Sequence, residues 1–234
     1  MFPQPPSAAF DQEHAAEYDT RFAKSAAMRD ALHLLTAAVL GDLPADARVL
    51  SVGAGTGSEI AYLAQKFPGW RFTAVEPSGP MLAVCRHKIE EHGLAARCEF
   101  HEGYLDSLPP SGPFDAATAL LVSQFVLDPA ARTGFFRAVA RRLKPGGLLV
   151  NADLAGDTTT AAYRSLFEVW LRVMDVPPEK AEGLRAAYER DVAVFPPDRV
   201  SEMIRAGGFE PPVQCLQTGL IHAWYARVEH THGR

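Results

Sequence analysis

The chain has 234 residues, a formal charge of −5 at pH 7, and 47% hydrophobic and 22% charged residues. This length suits one α/β domain with additional helices, and the acidic balance argues against general attraction to nucleic acid or to an anionic membrane. The most apolar stretch, residues 116–127, is interrupted by polar residues and is too short to span a bilayer. The first residues lack a basic region followed by a long apolar region, so we expect no signal peptide and a cytoplasmic location.

The three cysteines, Cys85, Cys98 and Cys215, are far apart and form no Cys-x-x-Cys pair. The histidines do not cluster either. This pattern predicts neither a disulfide framework nor a metal site, and we interpret the cysteines as small core residues of a reduced protein.

Residues 1–10 contain three prolines and are predicted to be a loose arm, followed by helices at 11–24 and 25–41. From residue 47 onward, short apolar runs alternate with helical patterns. The predicted strands are 47–52, 71–76, 97–101, 115–121 and 148–153, and the predicted helices between them are 57–67, 79–92 and 129–143. The last of these helices is expected to end at Lys144-Pro145-Gly146-Gly147. Such alternation indicates a mostly parallel sheet with helices on both faces.

The second half breaks this alternation with two consecutive helical patterns, 158–174 and 178–191, which we interpret as an insertion above the sheet. A helix at 197–206 and strands at 210–217 and 220–228 follow. The short turn between these strands requires antiparallel pairing, because a parallel return needs a long crossover. We therefore expect one domain over 1–234, with the following parts: an arm and N-terminal helices (1–44), a core (45–155), a helical lid (156–195), and a final helix and strand pair (196–234).

A glycine-rich turn, Gly53-Ala54-Gly55-Thr56-Gly57, joins the first strand to its helix. Glycines allow a ligand to approach the backbone closely, and sheets of this kind bind ligands beyond the carboxyl ends of their strands. Glu76 ends the second strand, where its carboxylate can accept hydrogen bonds from both hydroxyls of a ribose. The alternative is a solvated carboxylate at a strand end.

Two kinds of adenosine cofactor fit these features. A dinucleotide site usually reads Gly-x-Gly-x-x-Gly and holds a pyrophosphate at the helix N-terminus. Here the spacing is Gly-x-Gly-x-Gly, and Ser58 stands in the last position of the dinucleotide motif. The spacing favours a ligand without pyrophosphate.

Five segments occur in the order and spacing of class I S-adenosylmethionine-dependent methyltransferases, and the chain resembles that family over residues 45–155 and the terminal strands. The segments are VLSVGAGTG, AVEPSGPML, EGYLDSLP, FDAATALLVSQFV and RRLKPGGLLVNADL. The resemblance implies a Rossmann-like fold with an antiparallel terminal strand. Gln124-Phe125 and the closing strands are also similar to the branch containing carboxy-S-adenosylmethionine synthase, a tRNA-uridine modification enzyme.

The resemblance also implies roles for individual residues in holding S-adenosylmethionine. The glycine loop would wrap the methionine and ribose, Glu76 would hold the ribose hydroxyls, and an aromatic residue of the first helix would close over the cofactor. The implied cofactor-binding residues are Tyr18, Gly53, Ala54, Gly55, Gly57, Glu76, Pro77, Met81, Tyr104, Leu105, Leu120 and Leu121. Two positions depart from the family, which usually has acidic residues where Ser51 and Tyr104 stand. Ser51 would weaken the electrostatic complement to a cationic cofactor, whereas Tyr104 could still offer a hydroxyl or stack on the adenine. The departures could lower cofactor affinity, or the site could have drifted from catalysis.

The acceptor is less readable, because an activated methyl donor asks the protein mainly to position the acceptor and exclude water. The lid carries an apolar stripe that could line an acceptor site or could be ordinary core packing; its residues are Tyr163, Phe167, Trp170, Leu171 and Met174. Candidate general bases are His14, Asp153 and His222, but the pattern favours a structural polar residue at each position, and we assign no catalytic base.

A basic cluster near the end of the 129–143 helix could contact RNA, or could be a solvated helix end favoured by the helix dipole; it consists of Arg137, Arg141, Arg142 and Lys144. We expect methyl transfer to a small molecule, with no nucleic-acid or membrane partner, and leave open a homodimer. The alternatives are a carboxy-S-adenosylmethionine or tRNA-modifying relative, a nicotinamide-dependent oxidoreductase, and a non-catalytic binding or partner-regulating protein that keeps the fold.

Overall fold

A computed structural model describes residues 18–20 and 23–229. Its strands are β1 (Arg48–Val52), β2 (Arg71–Glu76), β3 (Cys98–Glu102), β4 (Phe114–Leu120), β5 (Leu143–Leu154), β6 (Val213–Thr218) and β7 (Ile221–Arg227). Its longer helices are α1 (Ala26–Val39), α2 (Ser58–Lys66), α3 (Gly79–Glu91), α4 (Pro129–Ala140), α5 (Ala161–Val173), α6 (Pro178–Asp191) and α7 (Pro197–Ala206). Over the described ranges, none of the helices combines the length and the apolar character needed to cross a membrane.

The strands form one seven-stranded sheet in the order β3-β2-β1-β4-β5-β7-β6. The pairs from β3 to β5 are parallel, whereas β7 runs antiparallel to both β5 and β6. The mixed α/β sheet and its antiparallel terminal pair, predicted from the short turn before β7, are confirmed.

One predicted helix ends earlier than expected, and another lies partly outside the described residues. The helix predicted at 129–143 ends at Ala140, and Lys144-Pro145-Gly146-Gly147 already belongs to strand β5, which begins at Leu143. Gly146 has a left-handed φ of 72°, and the pairing with β4 shifts register across this stretch, as at a β-bulge. Of the helix predicted at 11–24, residues 18–20 are helical and Ala23–Ser25 form a 3₁₀ turn, while residues 11–17, 21 and 22 lie outside the described part.

The two faces of the sheet are covered by different helices. Val49 packs with residues of α2 and α3 such as Ile60 and Leu82, while the next residue, Leu50, packs on the other face with Phe136 of α4 and Ile204 of α7. Each of these side chains is buried, and full burial of one such side chain contributes about 1.5–3 kcal/mol. This two-sided burial fixes where the strand ends lie, and the loops at the carboxyl ends of β1, β2 and β4 meet at one edge.

The helices α5 and α6 sit on the end of β5 and on the turn between β6 and β7. Phe167, Trp170 and Leu171 are buried against Leu154 and Ile221 in a separate hydrophobic cluster. The indole N–H of Trp170 donates a hydrogen bond to the Tyr188 hydroxyl, 2.9 Å away, which ties α5 to α6. The insertion therefore has its own small core, consistent with its departure from the alternating pattern.

Candidate functional site

A mostly apolar cavity opens at the carboxyl ends of β1, β2 and β4. Ten of the twelve residues implied to hold the cofactor line it: Tyr18, Gly53, Gly55, Glu76, Pro77, Met81, Tyr104, Leu105, Leu120 and Leu121. The other two, Ala54 and Gly57, lie in the same loop but off the cavity wall. Ala54 turns its backbone N–H toward Val75, and Gly57 precedes the first residue of α2.

The glycine loop is held by hydrogen bonds to the protein itself. The N–H groups of Gly53 and Ala54 both donate to the carbonyl of Val75, at 2.8 and 3.1 Å, and the N–H of Gly57 donates to Ala54, at 2.9 Å. Gly53 has a φ of 70°, and a Cβ built on it would lie 2.4 Å from a methyl carbon of Val122. Glycine is therefore required at this position for both its backbone conformation and its space.

The Glu76 carboxylate is the polar centre of the cavity. One oxygen accepts the N–H of Gly55 at 2.9 Å, and the other accepts the N–H of Ser78 at 3.0 Å. Glu76 is only 8% exposed, which excludes the alternative of a solvated carboxylate. Burial raises the pKa of Glu76 above its usual range, and the two backbone hydrogen bonds oppose that shift. Because a carboxylate oxygen can accept more than one hydrogen bond, both oxygens can still accept a hydroxyl from a ligand.

The short helical segment 18–20 lies at one side of the cavity. Tyr18 lines it, and burial, aided by the negative charges of Asp19 and Glu76, raises the pKa of Tyr18 to about 12. Asp19 accepts hydrogen bonds from the Thr56 hydroxyl at 2.8 Å and from the Lys88 ammonium at 2.6 Å. Asp19 thus fastens the segment 18–20 to the glycine loop and to α3, directly beside Tyr18, which lines the cavity.

The electrostatic character of the cavity distinguishes between the two cofactor classes. Glu76 is an acid, and no lysine, arginine or histidine stands among the described residues that line the cavity. Four loop N–H groups, at residues 53, 54, 55 and 57, already donate within the protein. A pyrophosphate needs free N–H donors or cations, whereas a sulfonium with an adenosine needs apolar walls and a carboxylate. The residues present fit S-adenosylmethionine better than they fit a dinucleotide.

The two departures from the family have different surroundings. Tyr104 lines the cavity, and burial together with the charges of Glu76 and Asp106 raises the pKa of its hydroxyl. The hydroxyl of Ser51 is buried below the loop and has no hydrogen-bond partner among the described residues. Tyr104 therefore keeps contact with the site, while Ser51 leaves an unused polar atom.

Sequence reasoning missed nine residues of the cavity wall: Val52, Val75, Ser78, Gly103, Val122, Phe125, Val126, Phe135 and Ala138. Phe135 and Ala138 come from α4, and no local pattern distinguishes a helix face that meets a cavity from one that meets the sheet. Leu121 has an unusual left-handed φ of 61°, and its N–H donates to Ala152 at 2.7 Å. This strained backbone turns the residues after β4 toward the cavity.

The lid stripe lies elsewhere. None of Tyr163, Phe167, Trp170 and Met174 lines the cavity; they pack with one another and with the end of β5. Phe167 and Trp170 are 3% and 5% exposed. Phe167 and Trp170 therefore pack in the core of the lid, and contact of these four residues with the acceptor stays a prediction.

The candidate bases that the structure describes lie in polar networks away from the cavity wall. Asp153 is fully buried and accepts hydrogen bonds from the Ser123 hydroxyl, the Gln124 N–H and the Asn151 amide. His222 is 4% exposed, its Nδ1 lies 3.1 Å from the Gln214 amide nitrogen, and burial lowers its pKa. Neither lines the cavity. His14 lies outside the described residues.

The basic cluster is largely occupied by contacts within the protein. The Arg142 guanidinium donates to the carbonyls of Pro109, Leu105 and Leu108. Lys144 pairs with Asp115 at 2.5 Å, and Arg137 donates to Ala206 at 3.4 Å. Three of the four cations therefore bond within the protein, while Arg137, Arg141 and Lys144 remain exposed.

Comparisons with known proteins agree with this site. Residues 49–147 match the family described as a methyltransferase domain. The chain is 31% identical over 181 residues to a demethylmenaquinone methyltransferase of Thermus thermophilus. The matched region spans 74% of this chain and 79% of the relative.

Solved structures share the fold. An O-methyltransferase family protein from Burkholderia thailandensis is 19% identical, has a TM-score of 0.63, and covers 96% of this chain and 64% of its own. PigF with SAH is 16% identical, has a TM-score of 0.58, and covers 76% of this chain and 50% of its own. The parallel sheet, the glycine loop with its strand-end acid, and these relatives place the chain in the class I S-adenosylmethionine-dependent methyltransferases.

Proposed function

We propose that the chain transfers the methyl group of S-adenosylmethionine to a small, partly apolar acceptor. The observation that carries the proposal is the cavity at the glycine loop, which joins an acidic strand-end residue to apolar walls and has no basic side chain in its described lining. When bound, the cofactor supplies an electrophilic methyl group on a positively charged sulfur. All other requirements fall on the protein: binding, orientation and exclusion of water.

The residues of the cavity divide these tasks. Glu76 would accept the two ribose hydroxyls while it keeps its bonds to the loop. Met81 and Leu105 are buried and would pack against the adenine. Tyr18 stays protonated at neutral pH, since its pKa is about 12, so it would act as a hydrogen-bond donor and a cover rather than as a base.

The acceptor gains its apolar character from the same wall. Leu121, Val122 and Phe125 extend the cavity beyond the glycine loop, and ligand sites for small molecules are mostly apolar with few polar groups. Asp153 and His222 lie off the cavity, so the described lining offers no dedicated base of those types. We infer an acceptor atom that needs no strong base, such as an acidic phenol or an enol, whose proton can pass to water.

The relatives point the same way. The relative from Thermus thermophilus is named as a methyltransferase of demethylmenaquinone, which is not a nucleic acid. A tRNA acceptor would require a basic surface, but the net charge is −5 and Arg142 and Lys144 are engaged within the protein. These charges argue against direct binding of tRNA, and they do not bear on the carboxy-transferring alternative.

The test is a transfer assay with methyl-labelled S-adenosylmethionine and a panel of small phenols, hydroquinones and enols, with bulk tRNA as a separate arm. We expect label in at least one apolar small molecule and none in tRNA. Arg141→Glu serves as the control, since it removes an exposed cation and should leave small-molecule transfer unchanged. Transfer to tRNA that Arg141→Glu abolishes would overturn the proposed acceptor class.

A further inference from the structure

A carboxyl group that the proposed mechanism does not use lies directly beneath the glycine loop. Glu59 stands in the first turn of α2, and its side chain accepts a hydrogen bond from the Thr118 hydroxyl in the middle of β4. Acidic residues are common in the first turn of a helix, where the dipole favours them. Such residues usually face solvent or the helix's own N–H groups, whereas this side chain reaches into the sheet.

The strand register places this carboxyl group under the cavity. Thr118 pairs with Ser51 of β1. Two positions further along the chain from each of them, Gly53 and Leu120 line the cavity. Thr118 is fully buried and Ser51 is 1% exposed. Glu59, which is itself partly exposed, is therefore one layer of side chains below the cavity floor, where its carboxyl group bonds to the hydroxyl of the fully buried Thr118.

No cation neutralises Glu59 among the described residues. The side chains next to it from β1 and β4 are the uncharged Ser51 and Thr118, and the titratable group that faces it from α3 is the Cys85 thiol. Lys88 of α3 instead bonds to Asp19 and Ser58. On the α1 side, His33 faces Tyr62, and burial lowers the pKa of His33 to about 4, so it is neutral at pH 7.

We propose that Glu59 is a specificity-determining residue that makes the site prefer a positively charged ligand, the methyl donor, over its uncharged product. The inference rests on the proposed function. S-adenosylmethionine carries a sulfonium that S-adenosylhomocysteine lacks, so a negative charge below the floor attracts the donor alone. After transfer the sulfur is neutral, the attraction is lost, and the product leaves more easily.

The charge on Glu59 depends on pH. Burial raises its pKa to about 7, and the Thr118 hydroxyl opposes that shift. In the free protein the group is neutral below that value, and it ionises as the pH rises through it. A bound cation favours the ionised form, so binding of the donor at pH 7 releases protons, while binding of the product does not. Titration of Glu76, which faces the ribose common to both ligands, largely cancels in the ratio of the two affinities.

The experiment is calorimetric titration of the full chain with S-adenosylmethionine and with S-adenosylhomocysteine, at about pH 6 and about pH 8. A shift of one unit in the pKa of Glu59 on binding corresponds to about tenfold in affinity once the pH lies well above both pKa values. We expect the affinity ratio of donor to product to rise by about fivefold between the two pH values in the wild type, as a bound sulfonium that lowers the pKa of Glu59 by about one unit would produce. Glu59→Gln should remove that rise while it keeps a hydrogen-bond acceptor for Thr118. Glu90→Gln, which changes an exposed glutamate on α3, should behave as the wild type does.

Two further variants make the assignment specific. Glu59→Asp retains the charge and should retain a pH-dependent ratio. Thr118→Val removes the hydroxyl that favours the ionised form and should move the rise to higher pH. In the absence of ligand, Glu59→Gln should gain stability relative to the wild type as the pH rises from 4.5 to about 7, because over this range the unfolded wild type ionises Glu59 while the folded protein keeps its proton.

An unchanged rise in Glu59→Gln would overturn the inference and leave the proposed function intact. The absence of binding by either ligand to the wild type would overturn both.

Discussion

Glu76 accepts a hydrogen bond from the backbone N–H of Gly55, 2.9 Å away. The acid that would hold the ribose is thus also a support of the glycine loop, and its second oxygen binds the N–H of Ser78. A single side chain at the end of β2 therefore shapes both walls of the cavity before any ligand arrives.

The first prediction concerns this double role. Glu76→Ala should weaken S-adenosylhomocysteine binding by about 10- to 100-fold, since hydrogen bonds to a charged group contribute about 1.5–3 kcal/mol. It should also reduce stability, because two backbone donors lose their acceptor. Glu76→Gln retains one amide oxygen and should fall between. Calorimetry and urea unfolding measure the two effects, with Glu99→Gln, an exposed change on β3, as the control. Unaltered affinity in Glu76→Ala would show that the ribose is held elsewhere.

The second prediction separates backbone strain from steric fit in the loop. Gly53→Ala and Gly93→Ala both place a side chain on a left-handed residue, with φ values of 70° and 68°. Each should lose about 1–2 kcal/mol of stability for that reason. Only at Gly53 does the new Cβ meet another group, Val122, at 2.4 Å. Gly53→Ala alone should therefore lose cofactor affinity, as measured by calorimetry; an equal loss in Gly93→Ala would argue against a direct steric effect.

The third prediction concerns the latch between Asp19 and Lys88. Its carboxylate and ammonium are 2.6 Å apart, with side-chain exposures of 41% and 20%. A partly exposed ion pair is worth about 0.2–1 kcal/mol, so Asp19→Asn and Lys88→Met should each speed release of S-adenosylhomocysteine by up to about fivefold.

Stopped-flow release measurements on both single variants and the double variant test the coupling. The double variant should release ligand no faster than the more affected single variant. Fully additive effects would mean that Asp19 and Lys88 act independently and that their ion pair does not hold the segment 18–20 in place.

The fourth prediction follows from the burial of Trp170. Because it packs in the lid core and donates to Tyr188, Trp170→Ala should cost about 3–5 kcal/mol of unfolding free energy. The neighbouring Val169 is 37% exposed, and Val169→Ala should cost little. Urea unfolding measures both. A Trp170→Ala variant with wild-type stability and selectively lost acceptor turnover would contradict the packing role and restore a direct contact with the acceptor.

Several features of the fold were predictable because they depend on local signals. The strand β2 and the helix α6 were predicted with their observed bounds, since apolar runs, prolines and strand-end residues mark them in the sequence. The antiparallel pairing of β6 and β7 followed from the length of one turn. The start of β5 was not predictable, because Pro145 and two glycines usually end a helix and here they lie in a strand whose early part shifts register against β4.

The cofactor cavity and the lid show the same division. Gly53, Gly55 and Glu76 lie in a continuous motif, so the sequence could indicate them. Phe135 lines the cavity only because α4 packs across the sheet. Trp170 does not line it, because its side chain packs against α6 and bonds to Tyr188. An apolar stripe has the same spacing in both cases, and only tertiary packing decides which surface it meets.

The most direct test of the central claim is a calorimetric titration of the purified chain with S-adenosylhomocysteine and, separately, with NADH. The acidic, apolar cavity predicts saturable one-to-one binding of S-adenosylhomocysteine that Glu76→Ala weakens, and no binding of NADH under the same conditions. Saturable binding of NADH without binding of S-adenosylhomocysteine would contradict the assignment of the cavity to a methyl donor.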